Sequence, residues 1–489
     1  MLGLRRVPVA RTRRFDPGVL ALLIVALLLL PAWTPRLYAT DSVQYYAYLR
    51  SLLFDGDFNF LNEYQRFHEL NPHAGIDRAL LPWRDPATGQ WRNLNPTTGL
   101  PVNIAPVGSA ILWAPAVLLA HAGVVLARAL GSSVPADGYS QPYIVAVCLA
   151  SWAYGLLGVL LSYRIARRLV GSWPAALATL VCWLASPVVF YMYVSPAWSH
   201  TASLFATTLF IWYWLRVRPA PTPGQWLLLG VFGGLMVLTR EQLGLFLLLP
   251  ALDALRAYGL ALRARDWPTL ARLGRNHLLF VLVLAVTLLP QLVTYRVLNG
   301  HWGPARTVAQ KFNWLSPHFV DTLVDLGPSP VTGRILAHGA LLWTPAWALA
   351  LLGLLLFWQR QRWLAALLLL AVVAQVWING SFGTTWHLSG AFGFRRLIEA
   401  TPIFVLGLAW LIERVRMPRV AWSALALALI AWNVGLIAQW TITYPELRRG
   451  LVWDGMLRRQ LAVPVTLLEQ GRELLHNRAQ FYQNDGVDR

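Results

Sequence analysis

The chain has 489 residues, 57% of them hydrophobic and 13% charged, with a mean hydropathy of +0.49. A soluble domain carries about 25% charged residues, so a water-soluble globular protein is excluded. The net charge of +19 comes almost wholly from arginine, Lys311 being the only lysine; the arginines sit in short groups between apolar runs, which is an orientation signal for membrane insertion and not a nucleic-acid surface. Attraction to anionic lipid head groups is a by-product of that pattern.

Runs such as "DPGVLALLIVALLLLPAW" at 16–33 and "FVLVLAVTLLPQLV" at 280–293 recur along the chain. Each approaches the roughly 20 residues that a helix needs to cross a bilayer. Only helices and closed barrels satisfy the backbone in lipid, so the fold class is an all-α polytopic membrane protein. Cys148 and Cys182 both lie inside apolar runs, as small buried hydrophobes and not a disulfide framework.

The first arginine group, Arg5–Arg14, precedes a span at Val19–Trp33. No small-x-small cleavage site follows, which makes this a retained span and not a secretory signal. Next comes "TDSVQYYAYLR" at 40–50, where Val43, Tyr46, Leu49 and Leu53 share helical spacing. Asp41 is the first acid after the span, and two readings are open. It is a helix N-cap, or a carboxylate held at the water–lipid boundary to face a site, and a helix start serves both. Asp55-Gly56-Asp57 is a turn signal and by itself weak support for a metal; the metal question stays unassigned, with a divalent cation compatible.

Further arginine groups lie at Arg164–Arg168, Arg216–Arg218, Arg256–Arg275, Arg360–Arg362 and Arg414–Arg419. With all of them cytoplasmic, the spans between must come in pairs. The expected spans are Val19–Trp33, Tyr143–Tyr163, Trp173–Tyr193, Ala197–Leu215, Trp226–Thr239, Leu243–Leu255, His277–Leu298, His338–Trp358, Trp363–Trp377, Leu397–Leu411 and Trp422–Trp440. That makes about eleven, within a range of 10–13, and puts the N-terminus in the cytoplasm of a cell or inner-membrane protein. The apolar stretch Ile104–Leu130 would break the parity if it crossed. It is therefore expected along the outer interface, with Pro106 and Pro115 as breaks. The module spans 1–444, with outer segments at 36–142 and 299–337, and an outer tail follows at 445–489.

Three arginines break the inside bias. Arg240, Arg395 and Arg396 fall at the expected outer ends of spans, where basic residues call for a function beyond snorkelling. Glu399, four residues after Arg395, is a ready ion-pair partner for either of that pair.

The order of these features resembles the GT-C class of membrane glycosyltransferases. An Asp follows the first span, then come a tyrosine-rich helix, "SLLFDGDFNFLNEY", a long outer loop and "GLPVNIAPVGSAILWAPAVLLA". Similar blocks continue with "RIARRLVGSWPAALATLVCWLASPVVFYMYVSPAWSHTASLFATTLFIWYW" at 164–214, "GLMVLTREQLGLFLLLP" at 234–250 and "GSFGTTWHLSGAFGFRRLIEATPIFVLGLAWL" at 380–411. Protein O-mannosyltransferases, aminoarabinose transferases and related users of polyprenyl-phosphate sugars share this layout over most of residues 15–440. The resemblance implies a GT-C bundle whose large first extracytoplasmic loop carries juxtamembrane helices and a catalytic Asp at position 41. It implies a polyprenyl-phosphate-linked sugar donor, a glycan, lipid or protein acceptor, and an extracytoplasmic active site. One departure is Ser199-His200 in "SPAWSH", where the aminoarabinose transferases have an acid, which puts a two-carboxylate metal site in doubt.

In this chemistry a carboxylate takes the proton of the attacking hydroxyl, and guanidinium groups steady the leaving phosphate. Asp41 is the expected base, and Arg240, Arg395 and Arg396 the expected phosphate holders. Tyr45, Asp55, Asp57, His200, Glu241, Lys311, Trp386 and His387 are further candidates for contacting substrate. The rival class is a transporter or flippase of a lipid-linked substrate. It would call for two related halves with broken helices, and no internal symmetry is visible. A polysaccharide polymerase or ligase would place its large loop late in the chain.

Overall fold

The computed structural model describes residues 16–218, 221–315, 318–325 and 338–476. The Arg5–Arg14 group, residues 326–337 of the second outer segment and the end of the tail, 477–489, lie outside the described residues.

The helices in chain order are α1 (Pro17–Leu28), α2 (Thr40–Arg50), α3 (Leu61–Leu70), α4 (Gly108–Ala129), α5 (Gln141–Ala166), α6 (Ser172–Leu184), α7 (Ser199–Val217) and α8 (Pro223–Thr239). They continue with α9 (Leu248–Arg263), α10 (Trp267–Asn299), α11 (Pro345–Phe357), α12 (Arg362–Gly380), α13 (Thr401–Arg414), α14 (Arg419–Ala438) and α15 (Met456–Glu469). A two-residue hairpin, β1 (Trp83–Arg84) with β2 (Trp91–Arg92), pairs Trp83 with Arg92 and Arg84 with Trp91.

Six helices among the described residues are long and apolar enough to cross a membrane, and a bent pair makes a seventh. One of the six is α4 (Gly108–Ala129), the stretch expected not to cross, so with the bent pair only six of the expected eleven spans are recovered, and most of the others have a physical reason to fall short. Pro17–Ala32, Pro223–Thr239 and Pro345–Phe357 are apolar but short. α7 buries Ser199, His200, Thr201, Ser203, Thr207 and Thr208, which lowers its hydropathy without exposing it. The expected span Trp173–Tyr193 is broken by Pro187 and bends by 65°. Asn433 of α14 repairs the break, its amide donating to the carbonyls of Leu184 at 2.9 Å and Ser186 at 3.0 Å. Backbone groups freed at a break need such partners away from water.

Asp16 marks one end of the bundle. It caps α1 by accepting from the Gly18 amide at 2.9 Å, and it also accepts from the hydroxyls of Tyr163 in α5 and Ser172 in α6. From there α5 runs past α7 toward the opposite end, where Tyr154 donates to the Leu112 carbonyl and the Tyr143 hydroxyl lies 2.8 Å from His121 Nδ1. So α4 meets α5 at Tyr143 and Tyr154, toward the end away from Asp16. It begins where Gly108 lies against the backbone of Leu238 and Thr239 at the end of α8. α11 and α13 approach closely at Gly353 and Gly407, where a Cβ on either would overlap a backbone carbonyl of the other helix.

The segment between α1 and α5 has its own apolar core, built from Val43, Tyr46, Tyr48, Phe60, Tyr64, Phe67, Trp113 and Tyr143. This explains the tyrosine row. Every residue of α2 from Ser42 to Arg50 is buried. Tyr46 and Tyr48 fill that space and end in hydroxyls that donate to the carbonyls of Gly138 at 2.5 Å and Ala105 at 2.9 Å. A ring with a polar tip suits a helix enclosed by loops, whose carbonyls need donors. At the other end of the chain, the segment after 445 is more than a polar tail. α15 packs on α14, with the Gln460 amide donating to the Trp432 carbonyl.

Candidate active site

Asp41 lies in the first turn of α2, but it is not the N-cap. That position belongs to Ala39, which makes no side-chain cap bond. The carboxylate is therefore not used on backbone amides, although a negative charge suits a helix start. It is partly exposed and accepts from Arg395 Nη2 at 2.9 Å. Four residues on, the Tyr45 hydroxyl accepts from Ser199 Oγ at 2.9 Å. Burial raises the Tyr45 phenol, with Arg240 opposing and Asp41 reinforcing the shift, so all three groups sense one another.

Arg240 is the residue that ends α8. Its backbone turns extended there, and a 3₁₀ segment, Glu241–Leu247, follows. Its Nη1 lies 2.8 Å from His200 Nδ1 and 3.2 Å from Nε2, and its Nε is 3.6 Å from Glu399 Oε1. With the Gln242 amide turned to present its oxygen, Gln242 accepts from Arg240 Nη2 at 2.7 Å and Nε at 3.2 Å.

Arg395, Arg396 and Glu399 come from one 3₁₀ turn, Arg395–Ala400, just before α13. Gly393, at φ 59°, lets the chain enter this turn against Pro187. Arg395 stacks over Trp198 at 4.3 Å. Arg396 stacks over Phe382 at 4.3 Å and donates to Thr385 Oγ1 at 3.2 Å. Burial disfavours the charge of Arg395, but Asp41 restores it and raises its pKa. Arg396 has no such partner: burial and the neighbouring guanidiniums of Arg395 and Arg240 push it down. The buried Glu399 carboxylate is met by the Arg240 guanidinium at 3.6 Å and the Ser203 hydroxyl at 2.6 Å.

One end of the bundle thus gathers three guanidiniums, with Asp41 and Glu399 as contacting carboxylates. Nη1 of Arg395 and Nη1 of Arg396 are buried without a hydrogen-bond partner. Buried donors of that kind are costly unless something accepts from them, so the cluster suits an anion. Among the described residues no group of three or more His, Cys, Asp and Glu is arranged to hold a metal ion.

The other sequence candidates divide. Tyr45 and His200 join the cluster. Glu241 makes no ion pair with Arg240 among the described residues; it is exposed and faces the electrostatic environment of Tyr48. Asp55 instead pairs with Arg50 and accepts from Asn62 at 2.7 Å. Asp57 accepts from Ser51 Oγ at 2.8 Å and the Asn59 amide at 3.0 Å, closing the turn after α2. The backbone of Lys311 lies against Gly383. Trp386 stacks on His318 at 4.4 Å, next in the chain to the Thr385 hydroxyl that meets Arg396. His387 Nδ1 accepts from the Ser389 amide at 3.0 Å. Ser199, Ser203, Trp198 and Gln242 belong to the site and carry no sequence signal of their own, beyond standing beside His200 and Arg240.

The family model of the dolichyl-phosphate-mannose-protein mannosyltransferases matches residues 141–293, a stretch that holds His200, Arg240 and Glu241. ArnT from Cupriavidus metallidurans bound to undecaprenyl phosphate superposes over 94% of this chain and 72% of its own, at 17% identity and a TM-score of 0.50. The fold is similar to that of this ArnT. The apo form of the same ArnT matches with the same identity and coverage and a TM-score of 0.49. No curated protein matches the chain in sequence. Both the matched 141–293 block and the outlying segments of Asp41 and Arg395–Glu399 contribute to the charged cluster.

Proposed function

We propose that the protein is a membrane glycosyltransferase that moves a sugar from a polyprenyl-phosphate donor to an acceptor hydroxyl on the extracytoplasmic face. One observation carries the reading: three arginines from two separate segments converge on one bundle end, two of them, Arg395 and Arg396, with a buried unpartnered Nη1, and Arg395 contacts Asp41 at 2.9 Å. That is a site for an anion beside a carboxylate. The bound lipid phosphate in the similar ArnT is consistent with it.

In this mechanism the acceptor oxygen attacks C1 of the sugar and gives its proton to the Asp41 carboxylate. The bond from C1 to the phosphate oxygen breaks, and polyprenyl phosphate leaves with the electron pair. Arg240, Arg395 and Arg396 stabilise the charge that gathers on the leaving phosphate. Arg395 has two roles: it holds Asp41 while the site is empty and turns to the phosphate once the donor arrives, which frees Asp41 as a base. α4 is itself long and apolar enough to cross; its contacts with the part of α5 away from Asp16 favour instead an interfacial place in the first outer loop, which the eleven-span count requires.

The test is turnover of undecaprenyl-phosphate sugars by purified protein, wild type against Asp41→Asn, with thermal melts to confirm folding. Loss of turnover in a folded variant supports the mechanism. Retained turnover removes Asp41 as the base.

A further inference from the structure

Glu399 and His200 are the most deeply buried polar pair in the cluster, each with a side chain 1% exposed. Neither is placed to meet an acceptor from water. Their contacts lead instead to Arg240. Glu399 Oε1 accepts from Ser203 Oγ at 2.6 Å, lies 3.4 Å from His200 Nδ1 and is 3.6 Å from Arg240 Nε. Arg240 Nη1 lies 2.8 Å from His200 Nδ1 and 3.2 Å from its Nε2.

Arg240 thus has two anchors: a neutral imidazole accepts from its Nη1, the shorter approach being to Nδ1, and the Glu399 carboxylate lies against its Nε. A ring protonated on both nitrogens could not accept from Arg240. Gln242 holds the guanidinium from a second side, through Nη2 and Nε. Arg240 also sits at a helix end, where its backbone leaves α8 in an extended conformation, so the helix itself does not fix its side chain. Side-chain partners must supply that order.

We propose that Glu399 and His200 are positioning residues that lock the Arg240 guanidinium in the orientation that meets the donor phosphate, with Ser203 fixing Glu399. This rests on the reading of Arg240 as a phosphate ligand. It makes Glu399 a structural anion and not a second base, and it removes His200 from contact with sugar. A long flexible arginine pre-set by partners loses less freedom on binding than a free one. Removing the lock should therefore weaken binding through Arg240 and nowhere else.

A plain electrostatic role makes the opposite prediction. Three guanidiniums face Asp41 and Glu399; neutralising Glu399 would leave an extra uncompensated positive charge and tighten the hold on a phosphate. The two roles thus differ in the sign of one measurement.

The experiment is binding of undecaprenyl phosphate to the full-length protein in nanodiscs, for wild type, Glu399→Gln, Ser203→Ala, Arg240→Gln and the Arg240→Gln/Glu399→Gln double variant. Arg240→Gln is expected to weaken binding about tenfold, the loss of one charge-assisted contact. Glu399→Gln should weaken it by a similar factor and Ser203→Ala by less, while the double variant should be no weaker than Arg240→Gln alone. Ser203→Ala keeps the buried charge, so it carries the test if Glu399→Gln fails to fold. Two results overturn the lock: tighter binding in Glu399→Gln, or a double variant weaker by the product of the two single effects. If Arg240→Gln binds like wild type, the phosphate reading of Arg240 falls, and the lock with it. Weakened binding in Arg240→Gln with additive effects leaves that reading standing and removes the lock alone.

Discussion

Asp41 and Arg395 are 354 residues apart in the chain and 2.9 Å apart in the fold. The contact joins α2 to the turn before α13, so the site exists only when both regions of the chain are assembled. Its two partners are unequally buried, with Asp41 at 39% exposure and Arg395 at 16%. A half-exposed ion pair contributes about 0–1 kcal/mol to stability. Asp41→Asn should therefore leave the melting temperature within a few degrees of wild type while removing turnover. A variant that lost both together would point to a structural role for Asp41.

Arg395→Lys tests what kind of cation the site needs. Lysine keeps the charge but loses the planar fork and its stacking on Trp198, at 4.3 Å in the native protein. Binding of undecaprenyl phosphate should fall about tenfold, as for the loss of one bidentate contact, and raised salt should not rescue it. Binding equal to wild type would show that charge alone suffices at this position.

How much of this could be read in the sequence follows from the kind of signal each part leaves. Spans announce themselves because lipid demands long apolar runs, and arginine groups mark their ends. Asp41, Arg240 and the Arg395/Arg396 pair stand out because charge is rare in such a chain. Glu399 was visible as a partner for the neighbouring arginines, but its link to Arg240 and His200 was not, since three separate segments meet there. Asp55 and Asp57 looked like Asp41 in sequence. The fold separates them, because Arg50 and Ser51 at the end of α2 capture both. The helix break at Pro187 and its repair by Asn433 lie equally beyond a local reading. Their partners are about 250 residues away, at separations of 247 and 249.

That separation gives a direct test of the aspartates. Asp55→Asn and Asp57→Asn should each retain turnover close to wild type, measured beside Asp41→Asn under the same conditions. Each does local work in the turn after α2, so a modest loss of thermal stability is expected. Loss of turnover in a folded Asp57→Asn would place the base in this turn and not at Asp41.

The segment between α1 and α5 should respond to pH through Glu63. This carboxylate is fully buried, and burial pushes it up to about 7 against the opposing bond from Arg50 at 2.9 Å. Its ordinary value is 4.5. Between those values the folded state holds more protons than the unfolded one, so stability falls as pH rises. The contribution is complete below about 4.5, gone above about 7, and at most about 3 kcal/mol. Melting temperatures measured from pH 4.5 to 8 should fall over that window in the wild type. Glu63→Gln should flatten the slope, because glutamine cannot titrate and Arg50 keeps its pairing with Asp55. An unchanged slope in Glu63→Gln would assign the effect to another group.

The α11–α13 contact sets the last expectation. α13 follows directly on the turn that carries Arg395, Arg396 and Glu399, so its seat on α11 fixes where those side chains stand. Gly407 faces the Ala350 carbonyl, and Gly353 faces the Gly407 carbonyl, too closely for any Cβ. Small residues at such a crossing let two membrane helices pack backbone to backbone. A methyl group at Gly407 must push the helices apart, since its obstacle is backbone and not a movable side chain. Overpacking of this kind costs about 1–3 kcal/mol. Gly407→Ala should lower the melting temperature and weaken undecaprenyl phosphate binding together, although it touches no group of the site. Gly259, within α9, has open space around its Cα, so Gly259→Ala is the matched control and should change neither. If Gly407→Ala melted lower yet bound lipid phosphate like wild type, the turn before α13 would be held in place independently of the α11 contact.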